Sequence, residues 1–278
     1  MVNLNEDAVF ARYRFKQPGA FVDVGANLGL FFAPFARRGI DIVAFEPHPE
    51  LFALLKQTYA GQQHVRIVQR AISDKAGVLP FYTSDEHPGI HSLAAFHPTH
   101  KPTVQVEVST LETELSRMSI RSVAALKIDT EGADLLALRS LNFVERRPEL
   151  VMVEFMDKRS LEYFGYSHHD MAAFMADQGY ETWVSEWAAI EEYGRTGEDP
   201  AHRWLGLSPY SRDRAPAWGN LICVQPEDRR RLQAAVRASL RRARAREIAR
   251  AAPGARTLAR AARSGLRRVA ALRSRRIQ

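Results

Sequence analysis

A single cysteine, Cys223, stands among the 278 residues, so no disulfide within the chain can staple the fold. Its stability must come from a packed core, and such cysteine usage fits a reducing compartment. Nowhere do eighteen consecutive apolar residues occur, which excludes a helix that spans a membrane. The opening MVNLNEDAVFARYRF lacks the apolar centre of a secretory signal, and the expected location is cytoplasmic. No internal repeat is apparent, which sets aside solenoid architectures. Also missing is any G-x-G-x-x-G, the pattern whose middle glycine lets a dinucleotide pyrophosphate rest on the backbone. What is present is 46% hydrophobic and 9% aromatic residues, enough for one substantial core with an appendage.

Charge is scarce in one part of the chain and crowded in another. Between Pro226 and Gln278 there are 17 arginines against three acids, Glu227, Asp228 and Glu247, while the other 225 residues hold 22 Lys/Arg against 29 Asp/Glu. The chain therefore divides into an acidic body, 1–225, and a basic tail, 226–278, of good helix propensity broken at Pro253-Gly254. Leu232, Val236 and Leu240, and later Leu258, Leu266, Val269 and Leu272, form thin apolar stripes in it. Such a tail can lie on an anionic membrane surface, holding the protein peripherally at the inner face, or grip nucleic-acid phosphates, or remain solvated. The body's acidity, with no Asn-Pro-Pro-Tyr-like tetrapeptide and no basic aromatic groove, disfavours a nucleic-acid-binding or nucleic-acid-modifying protein, the second reading.

The body is organised around FVDVGANLG, Phe21 to Gly29: an apolar strand, 20–24, a glycine turn and a helix start predicted over 29–38. Such a turn brings bare backbone N–H groups up to a ligand. Seventeen residues after Gly29 a second strand, 41–46, ends in Glu46-Pro47, where a carboxylate can accept from the two hydroxyls of a ribose. Asn27 replaces the dinucleotide glycine, and Asp23 suits an ammonium group better than a pyrophosphate. A nucleoside with a cationic amino-acid tail fits both, and S-adenosylmethionine is such a molecule. An ordinary strand-turn-helix without ligand is the plain alternative.

FVDVGANLG, followed by AFEPHP (44–49), AISD (71–74) and LKIDTEGAD (126–134), resembles the FkbM family of S-adenosylmethionine-dependent methyltransferases over about residues 15 to 185. The resemblance implies a class I methyltransferase fold, Rossmann-like and doubly wound, with a mostly parallel seven-stranded sheet and a β-excursion. It implies methyl transfer, usually to a hydroxyl oxygen, with natural products, sugars, glycans and glycolipids as acceptors. The cofactor-binding candidates are Asp23, Gly25, Asn27, Gly29, Glu46, Pro47, Ala71, Ser73 and Asp129. The resemblance places Ala71 and Ser73 beside the adenine; a turn capped by Ser73 and Asp74 is the alternative.

The remaining chain reads as follows. Residues 3–16 form a leading helix that packs Val9, Tyr13 and Phe15 on the core. Pro49 starts a helix to Tyr59, 65–71 is a third strand, and 77–110 is the β-excursion, read as VLPFYT, GIHSLAAF and VQVEVST. His87, His91, His97 and His100 fall in its middle; without cysteine or close grouping they read as a polar loop near the cleft rather than a zinc site. His91, in the Ser-containing turn of the family, is kept as a catalytic candidate. A helix at 110–118 capped by Ser109 or Thr110 leads to the fourth parallel strand, 123–128, which ends in Asp129 and Glu131. Carboxylates at that strand end could take a proton from an acceptor hydroxyl, bind a divalent cation that acidifies it, or attract the sulfonium charge. Asp129 is the first candidate base, Glu131 the second, with a helix-terminal role for Glu131 as the alternative. No metal ligands are assigned. Lys127 must meet a carboxylate or stay near the cleft, and Glu154, inside strand 150–155, is a third acid. A helix at 168–178, a strand at 180–184, an aromatic-rich stretch at 186–218 and a closing antiparallel strand at 220–224 complete the body.

Overall fold

The computed structural model describes residue 4 and residues 6–86, 89–189 and 203–251. His87, Tyr193 and the chain from 252, including the break at Pro253-Gly254, lie outside them. The chain opens with α1 (Glu6–Phe10), β1 (Ala20–Val24), α2 (Ala33–Ala36), β2 (Ile42–Phe45), α3 (Pro49–Thr58) and β3 (Val65–Val68). A small sheet follows from β4 (Ala71–Ile72), β5 (Gly77–Thr83) and β6 (Lys101–Ser109). Then come α4 (Leu111–Arg117), β7 (Val123–Ile128), α5 (Asp134–Arg139), α6 (Phe143–Arg146) and β8 (Leu150–Phe155). The last elements are α7 (Asp157–Phe164), α8 (His168–Asp177), β9 (Glu181–Trp187), β10 (Trp204–Pro209), β11 (Trp218–Val224) and α9 (Arg229–Ala251).

The main sheet runs β10-β9-β11-β8-β7-β1-β2-β3. β1, β7 and β2 are buried at every position, the uniform apolar pattern of parallel strands covered on both faces. β3, β2, β1, β7 and β8 are parallel, and β11 pairs antiparallel with both β8 and β9. One core layer gathers Val22, Leu126, Leu135 and Met171; the other holds Phe10, Phe21, Phe35 and Leu232. The strand order reverses between β1 and β7, which opens a crevice outside their carboxyl ends.

This is the doubly wound α/β architecture expected, with local differences: α1 covers only Glu6–Phe10 of the helix expected over 3–16. The sheet has eight strands among the described residues, because Trp204–Pro209, read as irregular, pairs antiparallel with β9. α2 spans one turn rather than 29–38, because Pro34 has no N–H to return to the preceding turn. GIHSLAAF makes only an isolated bridge, Tyr82 to Ser92, while β5 and β6 pair directly. The first turns of the basic tail belong to the core: Leu232, Ala235 and Val236 are buried with Val9 and Phe10 of α1, and the Ser239 hydroxyl donates to Ala8 O at 3.0 Å.

Candidate active site

The crevice is bounded by the loops that leave β1, β2 and β7. Gly25 has φ +78°, and a Cβ there would lie 1.8 Å from Asp129 O, so only glycine lets the β1 and β7 ends close together. Asp129 N donates to Val24 O at 3.0 Å, which locks the two ends. Gly29 also has positive φ, but its missing Cβ makes room for Leu55 and Phe32, a packing role. Glu46 leaves β2 and ties the neighbouring turns together. Its two oxygens accept from Asn27 N at 2.7 Å and His48 N at 2.9 Å. Burial pushes the Glu46 carboxyl up to about 7, against those two backbone bonds.

Eight predicted residues, Gly25, Asn27, Glu46, Pro47, Ala71, His91, Asp129 and Glu131, line one open cleft. Asp23, Gly29 and Ser73 do not line it. Asp23 is fully enclosed and faces Lys127 Nζ at 3.1 Å, while the Ser73 hydroxyl lies 3.4 Å from Asp74. Lys127 also lies 3.5 Å from Asp129 and donates to Gly25 O at 2.8 Å. Burial works against the Lys127 charge, yet Asp23 and Asp129 outweigh it and hold the ammonium above its ordinary range. Burial raises Asp23 to about 6 despite its partner. The lysine therefore meets two carboxylates, as its place in the strand required.

Below Asp129 the acids converge. Asp129, Glu131 and Glu154 each place an oxygen within 4.8 Å of the others. Arg159 of α7, almost wholly buried, bonds to Glu131 through Nη1 and to Glu154 through Nη2, the latter at 2.6 Å. Its guanidinium also sits 5.0 Å above the Phe96 ring. Glu154 thus pairs with Arg159, not with Lys127. Burial lifts Glu131 to about 7 against the pull of Arg159. It also lifts Glu154 well above its ordinary value, with Glu131 adding to the rise. Glu131 has φ +58° and Gly132 φ +115°, and this turn is held by Asp134, which accepts from Thr130 N at 2.8 Å and Gly132 N at 3.0 Å. The Ser92 hydroxyl donates to Glu131 O at 2.9 Å, which brings the excursion loop to the same turn.

Of the described histidines, His91 lines the cleft, with its ring 4.8 Å from that of His48. Burial lowers both from their ordinary values, which leaves neutral imidazoles near pH 7. His97 bonds to Thr99, and both His100 ring nitrogens face carbonyl oxygens, of Ile90 and Ala94. No described histidine joins a group with metal-ligand spacing. Arg159 is one site residue that sequence reasoning missed; Arg70, Phe81 and Thr130, which line the cleft, are others. Arg159 lies on α7, an element not anticipated, and its only signal was the need of Glu131 and Glu154 for a cation.

The residues present fit an S-adenosylmethionine molecule. The Gly25 turn, which only glycine can make this close to the Asp129 carbonyl, lines the cleft beside that residue's carboxylate, and the Glu46 carboxylate is anchored just past the end of β2, where a ribose-binding acid would be expected. Half-buried Asp129 offers negative charge at the mouth. Trp187 and Trp218 stack at 5.9 Å and the Trp204 indole donates to Ser185, so these aromatics pack at the far sheet edge instead of lining the cleft.

A methyltransferase FkbM domain matches residues 23–182. A 31-O-demethyl-FK506 methyltransferase FkbM from Streptomyces tacrolimicus is 40% identical over 88 residues, 30% of this chain and 32% of that protein. The aligned stretch thus spans about a third of that relative's length. Among solved structures, methyltransferase FkbM from Methylobacillus flagellatus matches with a TM-score of 0.47 and 13% identity, covering 76% of this chain and 44% of that one. Precorrin-6y C5,15-methyltransferase from Geobacter metallireducens matches with a TM-score of 0.40 and 11% identity, covering 78% and 86%. Because the domain match takes in more than half of the chain and runs from Asp23 through Glu46, Asp129 and Glu131, the chain belongs to the FkbM family of S-adenosylmethionine-dependent methyltransferases.

Proposed function

We propose that this chain methylates a hydroxyl oxygen of a polyhydroxylated acceptor: a sugar, glycan, glycolipid or natural product. Family membership supports methyl transfer. The name of the Streptomyces tacrolimicus relative refers to an oxygen of a natural product. The single observation that carries the hydroxyl reading is Glu131, a cleft carboxylate that burial brings to about 7. A hydroxyl is a weak nucleophile, and a base with that proton affinity can take its proton near neutral pH.

S-adenosylmethionine supplies an electrophilic methyl group on a positively charged sulfur. Glu46 holds the ribose hydroxyls. Gly25, Asn27, Pro47 and Ala71 form the walls, and Asp129 faces the cationic end of the cofactor. Lys127 fixes Asp129 from behind, and Arg159 fixes the orientation of Glu131. Positioning the hydroxyl in line with the breaking bond supplies much of the rate. Glu131 then accepts the hydroxyl proton, with Asp129 the alternative base and His91 a neutral group at the rim. A divalent cation, if the reaction uses one, would be held by Asp129, Glu131 and Glu154, whose oxygens have the spacing.

The test is calorimetric titration with S-adenosylhomocysteine, followed by an acceptor screen over sugars and glycolipids with Mg²⁺ or with a chelator. Glu46→Ala is expected to weaken cofactor-product binding at least tenfold. Glu131→Gln is expected to keep that binding and lose at least 100-fold in turnover, within the range for general acid–base groups. A well-folded native chain that binds no S-adenosylhomocysteine would refute the cofactor reading. Turnover unchanged in Glu131→Gln would refute the role of Glu131.

A further inference from the structure

The arginine-rich helix α9 is two-sided in a way its composition conceals. Leu232, Ala235, Val236 and Ser239 are buried against the body. At about 100° per residue, Arg230, Arg237, Arg241 and Arg244 fall on the opposite side within a narrow stripe, and all four are exposed. From Arg230 to Arg244 the stripe is about 21 Å long, at about 1.5 Å per residue. Exposed Ile248 continues the same line one turn further. Glu247, the only acid in the helix, projects about 100° away from it. Every charge on the stripe is an arginine.

The apolar stripe that could have entered a bilayer is thus already used on the body, and burial of an amphipathic face is not available to α9. Guanidinium–phosphate contact is. Arginine binds phosphate oxygens through paired N–H donors, whereas lysine acts as a point charge. The tail from Pro226 contains arginine and no lysine. A straight stripe opposite the docked face is the part of the helix that a flat surface meets first. A groove of duplex nucleic acid would instead surround a helix whose inner side is here covered by the body. Exposed Ile248 at the end of the stripe also suits the boundary between headgroups and acyl chains better than a phosphate backbone. On the flank, Arg242 and Arg246 stand close enough to Arg12, just after α1, to disfavour its charge, next to burial as the larger cause. Asp7 is the acid that answers them there.

We infer that the outer stripe of α9, Arg230, Arg237, Arg241 and Arg244 with Ile248, is a docking surface for the anionic phosphate headgroups of a lipid membrane, engaged by charge and not by insertion of the helix. This contact would bring the catalytic body to membrane-borne acceptors, but it does not depend on the methyl-transfer reading.

The experiment is flotation of the full chain with vesicles of phosphatidylcholine alone and of phosphatidylcholine mixed with phosphatidylglycerol, at low and at physiological salt. Duplex DNA at equal phosphate concentration serves as competitor. The expected result is partition to the mixed vesicles only, weakened by salt. In the variant R230Q/R237Q/R241Q/R244Q, partition should fall several hundredfold, at roughly fivefold per arginine, the equivalent of about 1 kcal/mol each. Circular dichroism and S-adenosylhomocysteine binding should remain native in that variant, since none of the four lines the cleft; loss of cofactor binding in both proteins would bear on the methyltransferase reading alone. Absence of vesicle binding, binding unchanged in the variant, or displacement by DNA at equal phosphate would each overturn the inference.

Discussion

Lys127 to Met is the perturbation for which the structure gives the clearest magnitude. The ammonium sits between Asp23, which is fully enclosed, and half-buried Asp129. Neither Asp23 oxygen has a hydrogen-bond partner apart from this ion pair. Replacing Lys127 with an apolar side chain of similar length therefore leaves an isolated buried carboxylate. Breaking a buried pair by removing one partner costs about 3–5 kcal/mol, a large share of the ~5–15 kcal/mol that holds a domain folded. For a chain of this size that is a fall of roughly 6–20 °C in melting temperature, at ~2–4 °C per kcal/mol. The assay is urea unfolding followed by fluorescence and circular dichroism. A second variant sharpens it: Asp23→Asn combined with Lys127→Met removes both charges and should recover at least half of the loss. The deficit of the single variant should also be smaller at pH 5 than at pH 8, because protonation of Asp23 removes the stranded charge. A single-variant loss below about 1 kcal/mol, or a double variant no more stable than the single, would refute the reasoning.

Two further predictions concern the fold. Asp23 and Glu46 are raised to about 6 and 7, Glu131 to about 7, and Glu154 well above its ordinary value, burial being the first cause in each. These acids bind more protons in the folded protein than in the unfolded chain between about pH 4 and 7 and outnumber His48, His91 and His100, which burial lowers and which act the other way, so stability is greatest at the acid end of that window and is lost as pH rises through it. Glu112 and Asp170 are lowered and act only below their ordinary values. The urea midpoint of the ligand-free protein should be higher at pH 5.5 than at pH 8, and a flat or inverted profile would count against the buried-acid account. Separately, Leu232→Ala should cost about 2–5 kcal/mol as a core truncation, measured by the same unfolding curves. A loss below 1 kcal/mol would mean that α9 is not part of the core.

The parts of the site that the sequence made legible are those where an apolar run stops at a charged residue. Glu46 and Asp129 end β2 and β7, and a parallel strand buried on both faces can carry a charge only at its end or against a partner. Lys127 is the second case, and its pairing could be anticipated from the cost of burial alone. Arg159 could not be found this way, because its meeting with Glu131 depends on where α7 turns back, a tertiary fact with no local pattern. The shortness of α2 follows from Pro34, whose effect was present in the sequence but outweighed by the apolar spacing around it. Asp23 was assigned to an ammonium group, and it faces one, but the ammonium is the side chain of Lys127. For α9, the density of arginine drew attention to charge, while Leu232 and Val236 at helical spacing carried the packing information.

The pairing of α1 with α9 has a temporal consequence. Val9 and Phe10 are synthesised more than two hundred residues ahead of Leu232 and Val236, which share their core cluster. Glu6 is in the same position, since its carboxylate is met by Ser185, Trp187 and Asn220. At about 5–20 residues per second, the first helix waits roughly 11–45 s of synthesis for the part of its cover that α9 supplies, although Phe10 can already meet Phe21 and Phe31. The nascent chain must carry an unclosed seam throughout that interval, which makes the opening segment the natural point of engagement for a chaperone. Any product that ends before α9 would keep that seam open for its whole lifetime.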